Sequence, residues 1–231
     1  MSAPDIQVLD DPAGAVAELI ARAGAAGRHL VLTGGSTPRV AYERAAEMDV
    51  DWSGASFWFG DERCVPPEHE HSNFGMADKA LLSKIEAKAV YRMRGELGPH
   101  EGARDYEQQL AGVFGQGVPP ELDLLLLGLG PDAHCASLFP GDHALGEQTK
   151  TVVGVEMPGM APLVPRISLT LPVLNAAGEV VFLVTGEDKA EAVARAFGGL
   201  RPGPDAPASL VLPDPGSLTV LLDEAAAKHL N

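Results

Sequence analysis

Short apolar runs alternate with stretches of helical periodicity along nearly the whole chain. Six runs read as strands: 6–9 (IQVL), 29–33 (HLVLT), 55–59 (ASFWF), 122–127 (LDLLLL), 180–185 (VVFLVT) and 217–222 (SLTVLL). Several are apolar at consecutive positions, as strands covered on both faces should be. VYRM (90–93), TVVGVEM (151–157), ISLTL (167–171) and SLVL (209–212) are weaker candidates. Asp11-Pro12 supplies an N-cap with proline at the first helical position and predicts a helix to about residue 26. Thr37-Pro38 repeats that signal for 38–47, and Ser72 can cap 73–86. The stretch 100–114 spaces Tyr106, Leu110, Val113 and Phe114 helically, and 187–197 and 223–230 complete the set.

Strands alternating with helices predict an α/β fold: a single domain over 1–231 with a mostly parallel, Rossmann-like central sheet covered by helices on both faces. The Gly/Pro-rich segments 115–120 and 198–207 read as surface loops. MPGMAPLVP (157–165) is a longer irregular loop, either a lid or a plain connection.

Composition agrees with this picture and removes other classes. The 231 residues are 45% apolar and 21% charged, so a real core can form, and collagen, coiled coil and wholesale disorder are excluded. There is no apolar run long enough to span a membrane. The acidic start MSAPDIQVLDD lacks a signal peptide's layout. Two cysteines, Cys64 and Cys135, fit a reducing compartment, so a cytoplasmic location is expected. Lys plus Arg total 17 against 32 Asp plus Glu, a net charge of −15. Such a chain repels nucleic acid and anionic membrane. A small anion can bind only where local donors overcome the global field.

Four polar clusters each follow a strand: Gly34-Gly35-Ser36-Thr37, Asp61-Glu62-Arg63, Gly128 to His134, and Gly186-Glu187-Asp188-Lys189. Parallel α/β sheets bind ligands at the carboxyl ends of their strands, so these clusters are expected to converge. The glycine turn 34–37 runs into a helix start, which suits phosphate; it also reads as a tight turn with Thr37 as N-cap. Lys189 lies in the first turn of a helix opened by a Thr185…Asp188 capping box. A cation there opposes the helix dipole unless an anion binds; a solvated lysine is the plainer reading. Arg63 offers bidentate anion recognition or a local ion pair. His134, two residues from Asp132 on a glycine turn, is a candidate general base. Cys135 cannot face its neighbour His134 and reads as a buried apolar residue.

Two patterns are weaker than they look. Gly128-Leu129-Gly130-Pro131-Asp132-Ala133 matches G-x-G-x-x-A, but prolines crowd it and no acidic strand end follows about 20 residues on. No dinucleotide cofactor is expected. His69-Glu70-His71 lacks distal ligands, so no metal is expected.

The stretches VLTGGSTP (31–38), FWFGDERCVPPEHEHSN (57–73), LDLLLLGLGPDAHCASLFPG (122–141), PRISLTLPVLNAA (165–177) and VFLVTGEDKAEAV (181–193) together resemble the 6-phosphogluconolactonases of the sugar-phosphate isomerase/deaminase superfamily. The resemblance spans most of the chain in the family's order. It implies hydrolysis of 6-phospho-D-glucono-1,5-lactone without metal or redox cofactor. No obligate protein partner is expected. It places the catalytic histidine at His134 and the sugar-phosphate site at Gly34, Gly35, Ser36, Thr37, Arg63, Arg166 and Lys189. Asp61 matches a proton-transferring aspartate of the related glucosamine-6-phosphate deaminases. Asp132 and Asp61 join His134 as catalytic candidates. Ala136-Ser137-Leu138-Phe139-Pro140 matches the lactonase form rather than the deaminase one. A regulatory sugar-phosphate-binding module is the rival of another class. One departure is Ala133, where the family usually has glycine; a positive φ there would strain alanine.

Overall fold

A computed structural model describes residues 4–117 and 119–230. The chain runs β1 (Asp5–Val8), α1 (Pro12–Ala25), β2 (His29–Leu32), α2 (Ser36–Ala46), β3 (Ser56–Phe59), β4 (Asp61–Arg63), α3 (Asn73–Ala80) and β5 (Ala89–Val90). It continues α4 (Pro99–Phe114), β6 (Leu124–Leu127), β7 (Val152–Val155), β8 (Arg166–Leu169), α5 (Leu171–Asn175), β9 (Glu179–Val184), α6 (Ala190–Phe197) and β10 (Ser217–Leu222). The caps read from sequence at α1 and α3 are present. Asp11 accepts from the Gly14 N–H and Ser72 from the Gly75 N–H.

Seven strands form a parallel sheet in the order β1-β10-β9-β6-β2-β3-β5. All four residues of β3 and of β6 are buried. Successive side chains point to opposite faces, so both faces of the sheet centre are covered. The strand order reverses between β2 and β6. In open α/β sheets a ligand crevice lies at the carboxyl ends of the strands flanking such a reversal.

A second, antiparallel sheet, β4-β8-β7, stands beside that crevice. Asp61-Glu62-Arg63 therefore form a strand of their own, one glycine beyond β3, with Arg63 opposite Arg166 and Asp61 opposite Ser168. Buried side chains from both sheets belong to one continuous core.

Several local expectations are corrected. Residues 223–230 form turns rather than a helix. There the Asp223 carboxylate accepts from the Gly186 and Ala226 N–H groups, which ties the chain back instead of letting it coil. The run 209–212 is not a strand: Pro207–Leu210 is a 3-10 turn. Asn175 holds the Leu210 carbonyl and the Leu212 N–H, the groups a ladder would need. The helix expected over 38–47 begins at Ser36 with Gly35 as N-cap, so Thr37 is not the cap. No side chain caps α6 or the 3-10 turn Glu187–Lys189 before it, so the Thr185…Asp188 box does not form.

Candidate active site

The cleft opens where β2, β6 and β9 end, beside β4 and β8. Its volume is about 220 Å³, and Gly34, Gly35, Asp61, Arg63, Asn73, Gly128, Gly130, His134, Met160, Ala161, Arg166 and Lys189 are among its lining residues. Drug-sized pockets run to ~300–1,000 Å³, so this one suits a small molecule. All four strand-end clusters contribute.

After β2 the chain is steered by the fully buried Tyr42. Its hydroxyl accepts from the Thr33 N–H at 2.9 Å and donates to the Thr33 carbonyl at 2.8 Å. Gly35 then takes φ +121°, a conformation L side chains rarely adopt. A Cβ on Gly34 would lie 2.0 Å from Asn73 Oδ1, so glycine is required for that close approach. Among the described residues neither glycine N–H has a hydrogen-bond partner. Two unclaimed donors at a helix start form a cradle for an anion. Ser36 and Thr37, expected as ligands, are not among the lining residues. The Thr37 hydroxyl instead meets the Thr185 hydroxyl at 2.7 Å, joining the β2 and β9 turns.

The turn after β6 closes around His134. The Gly130 N–H donates to the His134 carbonyl at 2.9 Å, and no α-helix lies between β6 and β7, unlike a dinucleotide-binding turn. A Cβ on Gly130 would lie 2.0 Å from His134 Nδ1, so the imidazole packs on a bare backbone. His134 Nδ1 sits 2.5 Å from Asp132 Oδ1, and the same oxygen accepts the His134 N–H. The ring also packs on Phe139 with centroids 4.4 Å apart. Burial pushes the Asp132 carboxyl upward, but its bonds to His134 and the imidazole charge outweigh that and hold it below the ordinary value. Asp132 thus orients His134 from behind rather than lining the cleft. Ala133, wholly buried, has φ +67°, the left-handed conformation that glycine would take without strain.

Asp61 lines the cleft and is 5% exposed. Ser137 Oγ donates to its Oδ2 at 2.6 Å and Asn73 Nδ2 to its Oδ1 at 3.0 Å. No cation lies within 4 Å of it among the described residues. Arg63 Nη1 donates to the His71 carbonyl at 2.7 Å, whereas its buried Nε has no partner. Arg63 makes no ion pair with Glu62. Arg166, 3% exposed, donates to the carbonyls of Met160, Pro162 and Val164. It clamps the 160–164 segment as a wall of the cleft. Burial first, then the Arg63 charge, pulls the Arg166 guanidinium below its ordinary value. Two neighbouring guanidiniums without a carboxylate partner create a local demand for an anion. Lys189 Nζ lies 3.7 Å from Asp188 Oδ2 and joins them.

The cysteines take no part in this chemistry. Burial, with the Glu62 and Glu156 charges, pushes the Cys64 thiol up to about 12, and burial raises that of Cys135 further. His69 accepts the His71 N–H in a surface turn.

Asn73, Met160, Ala161 and Ser137 are site residues that sequence reasoning missed. Ser137 carries the one clear signal, a polar residue inside the apolar CASLF run.

Comparison with known proteins identifies the family and the fold. Residues 6–220 match the family described as glucosamine-6-phosphate isomerases/6-phosphogluconolactonase. The chain belongs to this family. Among family members, the 6-phosphogluconolactonase of Homo sapiens is 42% identical over 174 residues, covering 74% of this chain and 67% of that one. The 6-phosphogluconolactonase of Mycobacterium tuberculosis is 37% identical over 225 residues, covering 93% and 90%. The structure of 6-phosphogluconolactonase from Leishmania guyanensis superimposes with a TM-score of 0.84 at 31% identity, covering 100% of both chains. A monomeric glucosamine-6-phosphate deaminase, 18% identical with a TM-score of 0.79 over 99% of this chain and 100% of its own, shares the fold.

Proposed function

We propose that the protein hydrolyses 6-phospho-D-glucono-1,5-lactone to 6-phospho-D-gluconate, the lactone-opening step of the oxidative pentose phosphate pathway. The carrying observation is one cleft that holds both an aspartate-oriented imidazole and three cations around a glycine turn. Asp132 accepts from Nδ1–H, which leaves the lone pair on His134 Nε2. That nitrogen takes a proton from water as the water oxygen attacks C1. The tetrahedral adduct then collapses, the C1–ring oxygen bond breaks, and the imidazolium returns its proton to the departing ring oxygen. One histidine serves as base and then acid.

The phosphate fits the other end. Arg63 Nε, Lys189 and the N–H groups of Gly34 and Gly35 supply donors, and Arg166 adds charge while holding the wall. Binding energy gathered at the phosphate orients C1 against His134. Asp61, a carboxylate in the cleft between two neutral donors, is placed to accept from a sugar hydroxyl or to shuttle a proton. The reading carries a cytoplasmic location and needs no metal, redox cofactor or protein partner.

The test is a coupled assay in which freshly generated lactone is converted and the 6-phosphogluconate is oxidised by its dehydrogenase. Turnover well above spontaneous hydrolysis is expected, with none on glucosamine 6-phosphate. Binding without turnover would favour the regulatory module.

A further inference from the structure

Glu62 sits between two cleft residues of β4 but faces away from the cleft. Strand side chains alternate, so Asp61 and Arg63 line the cleft while Glu62, 2% exposed, lies beneath it. Its carboxylate meets no cation within 4 Å among the described residues. It is saturated by neutral donors instead. Oε1 accepts from the N–H groups of Arg63 and Asn73, both at 2.7 Å. Oε2 accepts from the Phe74 N–H at 2.8 Å and Ser72 Oγ at 3.0 Å.

These donors belong to two elements. One is the backbone of Arg63 on β4. The others are the cap and first two residues of α3, whose N–H groups have no partner within their own helix. Glu62 therefore caps a helix from another strand, with its charge at the favourable dipole end. Burial pushes its carboxyl above the ordinary value, and the four donors hold that rise in check.

The tie has consequences on the cleft side. Asn73, pinned through its N–H, turns its Nδ2 to the Asp61 carbonyl at 2.9 Å and the Asp61 carboxylate at 3.0 Å. Its Oδ1 lies against Gly34. Arg63, pinned through its own N–H, extends Nη1 to the His71 carbonyl, one residue before the α3 cap.

We infer that Glu62 is a positioning residue for substrate binding. Its buried carboxylate fixes the α3 N-terminus against β4, so that Arg63, Asn73 and Asp61 face the sugar phosphate at a set spacing. This rests on the lactonase reading and adds to it a residue that never touches substrate.

The test compares wild type, Glu62→Gln, Ser72→Ala and Ser72→Thr. Glutamine keeps the shape but sets its NH2 against donors. In Glu62→Gln, KM for the phosphorylated lactone should rise by roughly 10- to 100-fold, the scale of losing one charge-assisted contact to the phosphate. The rate constant kcat should fall less, and turnover of unphosphorylated gluconolactone should change little. Ser72→Ala, which removes one donor, should shift KM in the same direction by a smaller factor, and Ser72→Thr should restore it. A merely structural role would lower the melting temperature and the active fraction while leaving KM unchanged; that result overturns the proposal. If Glu62→Gln does not fold, the Ser72 pair decides by the same criterion. Calorimetric binding of 6-phosphogluconate separates the two readings. Wild type that binds but does not turn over, with weaker binding in the variants, retains the positioning role and rejects the lactonase. Equal affinity in all four proteins rejects the positioning role alone.

Discussion

Asp132 Oδ1 accepts from both the backbone N–H and the ring Nδ1 of His134, the latter at 2.5 Å. One carboxylate oxygen thus fixes where the imidazole stands and which ring nitrogen is free. His134→Ala should lower kcat by roughly 10²–10⁴-fold, the range for loss of a general base, in a folded protein. Asp132→Asn should cost roughly 10²-fold or more, because an amide can offer its NH2 to Nδ1 and favour the wrong tautomer. A folded His134→Ala enzyme with near-normal kcat would move the base elsewhere, with Asp61 next to be tested.

The same pair predicts a pH dependence of stability. The folded-state value of Asp132 is depressed. Its contribution is therefore complete above the ordinary carboxylate value of 3.8 and is lost as pH falls through the depressed one. Melting temperatures of wild type and Asp132→Asn should draw together on acidification below that value. Parallel curves down to acid unfolding would show that the pair contributes nothing.

Lys189 was open to two readings from sequence, and its place on the cleft favours the anion. Lys189→Ala removes a charge-assisted contact of ~1.5–3 kcal/mol. KM for the phosphorylated lactone should rise roughly 10- to 100-fold with kcat little changed. The variant should also discriminate less against unphosphorylated gluconolactone. Kinetics equal to wild type on both lactones would return Lys189 to the solvated surface.

Ala133 shows opposing effects near balance. Its left-handed backbone costs ~1–2 kcal/mol. Glycine would relieve that, but loses a buried methyl worth ~0.8 kcal/mol and ~0.4–1 kcal/mol of unfolded-chain entropy. Ala133→Gly should therefore lie within about 1 kcal/mol of wild type in urea unfolding. Ala133→Val places a β-branched residue in a conformation it strongly avoids and should destabilise by more than about 2 kcal/mol.

With its thiol at about 12, Cys64 should resist alkylation. Iodoacetamide at pH 8 should label the native protein far more slowly than the urea-unfolded one, as followed by mass spectrometry. Comparable rates would contradict the burial of that sulfur.

The central strands were legible because burial on both faces leaves consecutive apolar letters, as in LLLL of β6. The strand-end clusters were legible because topology forces them together. What failed were places where a polar side chain finds a partner distant in sequence instead of a local one. Alanine-rich 223–230 has helical propensity, yet Asp223 binds Gly186 instead. Thr185 has the letter of a cap, yet its hydroxyl meets Thr37. Asn73 was invisible because its importance comes from Asp61, Glu62 and Gly34 arriving around it, which no local pattern encodes. Arg166 was legible as a cation but not as a clamp, since its carbonyl partners lie in an irregular segment.

The Thr37–Thr185 bond joins positions 148 residues apart, one on each side of the strand-order reversal. A fragment ending in the 140s would keep the glycine cradle, Arg63 and His134 but lose Arg166 and Lys189; its complement would have the reverse. Neither half should retain the anion, whereas co-expressed halves that reassociate should regain it. Ligand occupancy then becomes a gauge of the completed fold. A sugar phosphate at a hundred times its Kd adds ~2.7 kcal/mol to the unfolding of the entire chain rather than to one loop.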